Sequence, residues 1–234
     1  YRQSARASSG LVKLDPENKF LGRGPRFRLQ AEFIRDTILS ASGLLVTDIG
    51  GRGVKPYQPP GLWNEVSLGG NVRFVQDHGE KLYRRGMYTY WKRSSPAPSL
   101  TIFDTPTREK CVLRRSRTNT PLQALVLLND PQYIEAARSL AQKVTLEAGD
   151  SIDARIVLAY RLATAHGPST KTLTLLKKAY EEELAVFQKD PERAKKLLGV
   201  GESKRDAAID GAEHAALTII CSMILNLDAT VTKG

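Results

Sequence analysis

The second half of the chain has apolar residues at the spacing of amphipathic helices. Thr120 precedes Pro121 and an apolar run, and Asp130 precedes Pro131 and a second apolar stripe. Thr or Asp before Pro is typical of a helix start, because the side chain can cap free backbone N–H groups and proline suits the first turn. Because short polar joints separate these segments, we predict antiparallel helices over residues 121–128, 131–147, 151–164, 170–188, 191–198 and 207–227.

One helix is predicted in the first half, over about residues 26–42. Its apolar face consists of Leu29, Phe33, Ile34 and Ile38. Gly43 follows as the residue that ends the helix, because glycine adopts the left-handed conformation without penalty. The polar face carries Glu32, Arg35 and Asp36. We interpret these three as a surface charge cluster, with the lining of a site as the alternative.

No helical period persists over residues 47–99, which are rich in glycine, proline and aromatic residues. Long irregular regions in compact domains are functional or disordered, and the interspersed aromatics favour an ordered one. A short strand is predicted within residues 82–91. The fold class is therefore mainly α: a helical bundle with a long irregular region rich in arginine and aromatics, and with room for one short strand pair.

The net positive charge of the chain lies entirely in its first half. Residues 1–117 carry 21 Lys and Arg against 10 Asp and Glu, whereas residues 118–234 carry 14 against 15. The sequence thus divides into a basic, aromatic-rich segment, 1–117, and a helical segment, 118–234, within what we expect to be one domain. A positive field raises the local concentration of anionic partners, so an anionic ligand is the leading idea, beside a basic surface with no ligand.

The sequence contains no recognised catalytic or metal-binding motif. Cys111 and Cys221 lie far apart and form no Cys-x-x-Cys pair, so neither zinc ligation nor haem attachment is encoded, and one distant disulfide is left open. Cys221 falls in an apolar run, where a thiol acts as a small hydrophobic group. No signal segment and no membrane-spanning stretch is present. We predict no metal site and no cofactor in this chain.

The densest basic run, residues 108–117, leads into a helix start and suggests an anion cradle. Its candidate residues are Arg114, Arg115, Arg117 and Asn119. Guanidinium groups bind sulfate, phosphate or carboxylate through paired N–H donors, and the N–H groups of a helix start add to them. Internal pairing of these arginines with carboxylates such as Glu32 or Asp104 is the alternative. Arg84 and Arg85 complete the predicted basic ligand set.

Aromatic residues supply a second kind of candidate binding group. Tyr57, Trp63 and Trp91 occur among the basic residues, and such rings can stack on sugars or bases. Core packing is the commoner role for them. Glycan is a better candidate than nucleic acid, because no nucleic-acid-binding signature accompanies the charge.

Candidates for catalysis are few and do not form a constellation in the sequence. Asp77 and His78 could act as acid and base, and Asp36 could provide a further carboxylate. Adjacent residues rarely face each other, which weakens the first pair. His166 and His214 are interpreted as surface or packing residues.

Several sequence segments, which occur in the same order as in a known family, give a resemblance that covers nearly the whole chain. They include residues 23–29 (RGPRFRL), 54–63, 82–85, 90–93, 114–125, 128–131 and 226–228. The chain resembles the C-terminal domain of unknown function of large planctomycete-type proteins that carry a cytochrome-c-like domain on their N-terminal side. This resemblance implies an exported, extracytoplasmic protein of which the chain is a C-terminal part, with upstream domains as partners and haem c outside this chain.

Three hypotheses about function follow from these observations. The first is recognition of an anionic ligand, such as an acidic or sulfated polysaccharide, within a cytochrome-linked multidomain protein. The second is a carbohydrate-active hydrolase or oxidoreductase whose site is completed upstream. The third is a scaffold whose arginines only hold the fold.

Overall fold

A computed structural model describes residues 3–66 and 73–233. The chain is 53% helical and its described part contains eleven α-helices. Their bounds are α1 Ser9–Leu14, α2 Ala31–Ser42, α3 Leu62–Glu65, α4 Pro98–Thr101, α5 Pro121–Asn129, α6 Pro131–Glu147, α7 Ile152–Thr164, α8 Thr170–Lys189, α9 Pro191–Leu198, α10 Gly211–Leu225 and α11 Asp228–Val231. The predicted mainly α fold is confirmed.

The six helices predicted after residue 117 are all present as α5 to α10. Asp130 caps α6, since its Oδ1 accepts the N–H of Gln132 at 2.9 Å. Helix α10 starts later than predicted because Asp210 caps it, accepting the N–H groups of Ala212 and Glu213 at 2.9 and 3.0 Å. Among the described helices, each is too short or too polar to cross a lipid bilayer.

Helix α10 is the centre of the bundle and packs against α6, α7, α8 and α9. It is apolar on nearly all sides, as expected for a helix that is buried on nearly all sides. Cys221 lies in this helix with no exposed surface, and burial raises the pKa of its thiol. Cys111 is exposed, and both cysteines are free, so the distant disulfide that the sequence left open does not form.

The core draws on both halves of the sequence. Ile34 and Ile38 of α2 pack in the same buried cluster as Leu140 of α6 and Ile220 of α10. Burial of this apolar surface is the main favourable contribution to folding. The division at residue 117 stays a prediction about domain organisation.

The two faces of α2 differ from the prediction at two positions. Phe33, assigned to the apolar face, is 56% exposed, whereas Arg35, assigned to the surface charge cluster, is only 2% exposed. Arg35 is buried because its guanidinium has partners: it donates to Gln132 Oε1 at 2.9 Å, to the carbonyl of Leu82 at 2.6 Å and to that of Arg84. These bonds attach the irregular region to α2 and α6.

The irregular region between α2 and α4 contains α3, two short 3₁₀ turns at Gly79–Tyr83 and Gly86–Tyr88, and extended links. Residues 67–72 of the predicted irregular stretch lie outside the described residues. The strand predicted within residues 82–91 is wrong, because the turns replace it. The backbone of residues 82–91 makes two isolated β-bridges, between Val46 and Arg84 and between Val54 and Thr89.

The described strand pair lies elsewhere and joins the two ends of the chain. Strand β1, Phe27–Arg28, pairs antiparallel with β2, Thr232–Lys233, so that Phe27 lies opposite Lys233. Helix α11 precedes β2 and packs on α2, α7 and α10. The sheet therefore places the side chains of Arg26 and Phe27 beside the last described residues.

Candidate functional site

The arginine run lies across the start of α2, and Arg115 fixes it there. Arg115 Nη1 donates to Gln30 Oε1 at 3.0 Å and lies 3.1 and 2.9 Å from the two carboxylate oxygens of Glu32. Glu32 is in the first turn of α2, where a carboxylate is also favoured by the free N–H groups. Arg115 is thus paired internally with a carboxylate, which was the alternative to an anion cradle.

The neighbouring arginines face solvent. Arg114 and Arg117 are exposed, and neither makes an ion pair with a carboxylate in the described chain. The guanidinium carbon of Arg117 lies 4.7 Å from the centre of the Phe27 ring, and Lys233 Nζ lies 6.0 Å from the same centre. Two cations therefore flank one half-buried aromatic ring at the strand pair.

The start of α5 does not form an open cradle with the whole arginine run. Pro121 begins the helix after Thr120 as predicted, but the Thr120 side chain makes no capping bond. Upstream, Asp104 Oδ2 accepts the backbone N–H and the hydroxyl of Thr118 at 2.7 and 2.8 Å. The crevice between Asp104, Arg115 and Thr118 measures about 10 Å³, hardly the space of one water molecule. Asn119 itself is exposed.

The two other predicted basic residues are engaged with the protein. Arg84 donates to the carbonyls of Arg52 and Asp48 at 3.2 Å each and to that of Gly50, and its guanidinium lies 3.9 Å from the Tyr88 ring centre. Burial raises the pKa of the Asp36 carboxyl group, and the positive charge of Arg85 partly opposes this rise. Arg84 holds the Gly50 loop in place.

The predicted aromatic residues pack against the protein on at least one side. Trp63 is 5% exposed and contacts Phe74 and Tyr90 with ring centres 5.3 and 5.8 Å apart. Trp91 is half-buried, its indole N–H donates to the carbonyl of Thr107 at 3.0 Å, and the guanidinium of Arg108 lies 4.7 Å from its ring centre. These rings stabilise the irregular region. Little of the Trp63 surface is accessible to a ligand.

The structure gives the three candidate catalytic residues three different partners. Asp36 Oδ1 accepts the N–H of Gly86 at 2.6 Å. Asp77 Oδ2 accepts the N–H of Lys55 at 2.8 Å. His78 Nδ1 lies 2.7 Å from Glu202 Oε1, and this contact is the first cause of the lowered pKa of the Glu202 carboxyl group.

His78 is paired with Glu202 and not with Asp77. In the described chain, the imidazole ring of His78 is hydrogen-bonded to Glu202 alone. Within residues 3–66 and 73–233, no three His, Cys, Asp or Glu side chains are grouped as metal ligands would be. The side chains of Asp77 and His78 therefore contact different partners.

A comparison with models of protein families places the chain in one family. The family model described as PSD1, protein of unknown function (DUF1553), matches residues 1–180. The chain belongs to this family. The match includes the arginine run and ends within α8, so Glu202 and helices α9 to α11 lie beyond it. No curated protein and no solved structure matches the chain. The PSD1 match fits the resemblance to a domain of unknown function that the sequence segments indicated.

A buried polar cluster that sequence reasoning missed lies between the PSD1-matched irregular region and the bundle. Glu135 of α6 has no exposed surface, and its Oε1 accepts the Tyr83 hydroxyl at 2.8 Å and the N–H groups of Glu202 and Ser203 at 2.7 and 2.5 Å. The Tyr57 hydroxyl accepts the same Glu202 N–H at 3.0 Å.

The environment of this cluster keeps its phenols protonated. Burial, and then the Glu135 carboxylate, raise the pKa of Tyr83 and Tyr57. Burial lowers the pKa of the nearby Arg138 guanidinium, which donates to the Ser203 carbonyl at 2.7 Å. The one sequence signal for this cluster is the Gly199-Val200-Gly201 turn before Glu202, where Gly201 has a φ of +87°.

Proposed function

We propose that this PSD1 chain recognises an anionic ligand, an acidic or sulfated polysaccharide, through the exposed part of its arginine run. The observation that carries the proposal is the arrangement at Phe27, where Arg117 and Lys233 flank one ring. Arg114, in the same arginine run, is also exposed. The three cations make no ion pair within the described residues. We call Arg114, Arg117, Lys233 and Phe27 the basic surface.

The chemistry of the basic surface suits a charged sugar polymer. Exposed guanidinium groups bind sulfate and carboxylate through paired N–H donors. The Phe27 ring packs against the Arg117 guanidinium and so orients this cation at the surface. A polymer with regularly spaced anionic groups gains from several cations at once, even though each exposed contact contributes little.

The ligand set is narrower than the sequence suggested. Arg115 and Arg84 have internal partners, and Trp63 is buried, so we leave these three out of the proposed contacts. Asn119 is exposed and stays in the set. Tyr57, Trp91 and Arg85 are half-buried and belong to the supporting structure in this proposal.

The setting of the protein is part of the same proposal. Segments of the sequence resemble planctomycete-type proteins with a cytochrome-c-like domain. This resemblance supports an exported protein with haem c in an upstream domain. An extracytoplasmic polysaccharide would then be accessible to the basic surface. Upstream domains of the same protein are the proposed partners, and nucleic acid is the less suitable polyanion.

Binding of dextran sulfate, with uncharged dextran as the reference polymer, tests the proposal. The full chain should bind dextran sulfate and not dextran, with a Kd that rises with salt. The Arg114→Ala/Arg117→Ala variant should bind at least tenfold more weakly. The matched control, Lys189→Ala/Lys196→Ala, removes two exposed cations from the bundle and should change the Kd less than twofold.

Two results would overturn this function. Equal weakening in both double variants would show attraction by net charge alone. Tighter binding of a single-stranded DNA oligonucleotide than of dextran sulfate and polygalacturonate would favour nucleic acid as the ligand instead.

A structural role is the second candidate function, and a specific observation favours it. Arg35, Arg84 and Arg115 all hold one part of the chain against another. If Arg114 and Arg117 also serve only the fold, their replacement should lower the melting temperature and should leave dextran sulfate binding unchanged.

A further inference from the structure

A cavity of about 1080 Å³ lies beside Arg26, the residue before strand β1. It is open to solvent and lies between the chain segment before α1, the end of α7 and the start of α8. Its chemistry is set by Arg6, Arg26, His166, Tyr160, Ser169 and Thr172. The volume is that of a ligand site rather than of a few water molecules.

The charged groups of the cavity are all basic. No Asp or Glu occurs among the residues that line it. Arg26 pairs with Asp228 just outside the lining, and a guanidinium has five N–H donors, so this pair leaves donors available. The Arg6 side chain makes no hydrogen bond or ion pair in the described chain. A cationic ligand is therefore disfavoured and an anionic group is favoured.

The histidine of the cavity is held in one orientation. His166 Nδ1 lies 2.7 Å from the carbonyl oxygen of Thr164. Because a carbonyl only accepts, Nδ1 carries the proton and Nε2 stays available to a ligand. The backbone that presents this ring turns at Ala165, whose φ of +60° is unusual for a residue other than glycine.

The remaining lining groups are those that recognise uncharged parts of a sugar. The Ser169 hydroxyl accepts the Thr172 N–H at 3.1 Å and is hydrogen-bonded to the Thr172 hydroxyl at 2.8 Å. Tyr160 supplies a half-buried ring that packs on the main core. Hydroxyl groups both donate and accept, so they suit the hydroxyls of a sugar.

We propose that this cavity binds a sugar that carries a single oxyanion group, with Arg6 and Arg26 on the anionic group and His166, Ser169 and Thr172 on the sugar hydroxyls. Sulfate, phosphate and carboxylate share the required chemistry. The cavity is separate from the basic surface, although Arg26 and Phe27 are neighbours in the chain. Either proposal can therefore fail without the other.

Calorimetric titration of the full chain with small sugars tests this inference. Glucose 6-sulfate, glucose 6-phosphate and galacturonic acid distinguish the three anionic groups, with glucose and inorganic sulfate as references. At least one anionic sugar should bind ten times more tightly than both references. Equal binding of glucose would show that the anionic group is not recognised, and equal binding of inorganic sulfate would indicate an adventitious ion only. Either result overturns the proposal.

Matched variants place the binding in the cavity. Arg6→Gln and His166→Asn should each weaken binding of the preferred sugar at least fivefold. Lys189→Gln, at the far end of α8 about 30 Å from Ser169 by helical rise, should change it less than twofold. Arg6 is exposed and has no side-chain partner, so the melting temperature of Arg6→Gln should match the wild type. Unchanged affinity in that folded variant overturns the proposal.

The Arg114→Ala/Arg117→Ala variant separates the two proposals. It should keep its affinity for the preferred small sugar while it loses affinity for dextran sulfate. Loss of both ligands in this variant would show that the small sugar binds at the basic surface, and the cavity proposal would then be wrong.

Discussion

The hydroxyl of Tyr83 donates a hydrogen bond of 2.8 Å to Oε1 of the buried Glu135. Tyr83 ends a 3₁₀ turn of the irregular region and Glu135 is in α6, so this bond joins the region that carries the basic residues to the bundle. The same oxygen also accepts two backbone N–H groups of the loop after α9. One carboxylate thus fixes two loops.

Tyr83→Phe should lower the free energy of unfolding by about 1.5–3 kcal/mol, the contribution of a hydrogen bond to a charged group. Urea unfolding measures this change. Tyr90→Phe is the matched control, because Tyr90 is 48% exposed, and should change stability by less than about 0.5 kcal/mol. Equal effects of the two variants would show that the bond to Glu135 does not stabilise the fold.

Stability should fall as the pH rises above about 10, the ordinary pKa of tyrosine. Burial and Glu135 raise the pKa of Tyr57 and Tyr83 in the folded state. The unfolded chain then releases phenolic protons that the folded chain keeps, so high pH favours unfolding. Each such tyrosine contributes up to about 1.4 kcal/mol per pH unit.

Unfolding free energies at pH 9 and pH 11 measure this dependence. The fall should be smaller in Tyr83→Phe and unchanged in Tyr90→Phe. The same slope in wild type and Tyr83→Phe would contradict the raised pKa of Tyr83.

Gly201→Ala should be more destabilising than Gly50→Ala. Both glycines have a left-handed φ, +87° and +89°, but a Cβ at Gly201 would lie 2.3 Å from Cδ of Glu135, whereas a Cβ at Gly50 meets nothing within 4 Å. Gly50→Ala should cost about 1–2 kcal/mol from backbone strain alone. Displacement of the Glu135 carboxylate should add about 1–3 kcal/mol at Gly201.

Denaturant unfolding of the two glycine variants decides this point. A similar loss in both would mean that Gly201 is needed only for its φ. Because Gly201→Ala and Tyr83→Phe both disturb the Glu135 carboxylate, the double variant should lose less stability than the sum of the single losses. Full additivity would contradict a shared carboxylate.

Arg114 and Arg115 should differ in their effect on stability although they are adjacent. Arg115→Ala removes the contacts to Gln30 and Glu32 and should cost about 1 kcal/mol, a modest value because the pair is partly exposed. Arg114→Ala should change stability by less than about 0.5 kcal/mol. Thermal unfolding of both variants checks this, and an unaltered melting temperature in Arg115→Ala would remove its role as a clamp.

The sequence predicted the bundle well because its signals are local. Capping residues such as Asp130, proline at first turns and apolar stripes set the helices from α5 to α10, and Gly43 ended α2 as expected. The failures have tertiary causes. Arg35 was assigned to the surface because a charged residue is rarely buried without partners, and its partners, Leu82 and Gln132, are distant in sequence.

The candidate site was less predictable than the fold, for the same reason. Residue type and charge singled out the arginine run, but only the structure distinguishes the paired Arg115 from the exposed Arg114 and Arg117. The Glu135 cluster has no motif, because Tyr57, Tyr83, Glu135 and Glu202 come from four segments distant in sequence. The imperfect alternation of residues 82–91 predicts a short strand within them, whereas hydrogen bonds to Arg35 and Asp36 of α2 hold this segment as turns.

The dependence of dextran sulfate affinity on salt tests the proposed function most directly. A polyanion bound by specific cations has a Kd whose logarithm rises with the logarithm of salt concentration, and removal of one such cation lowers this slope by about 1. The proposal predicts that Arg114→Ala/Arg117→Ala lowers the slope by about 2 and that Lys189→Ala/Lys196→Ala leaves it unchanged. An equal slope in wild type and in the arginine variant would contradict it.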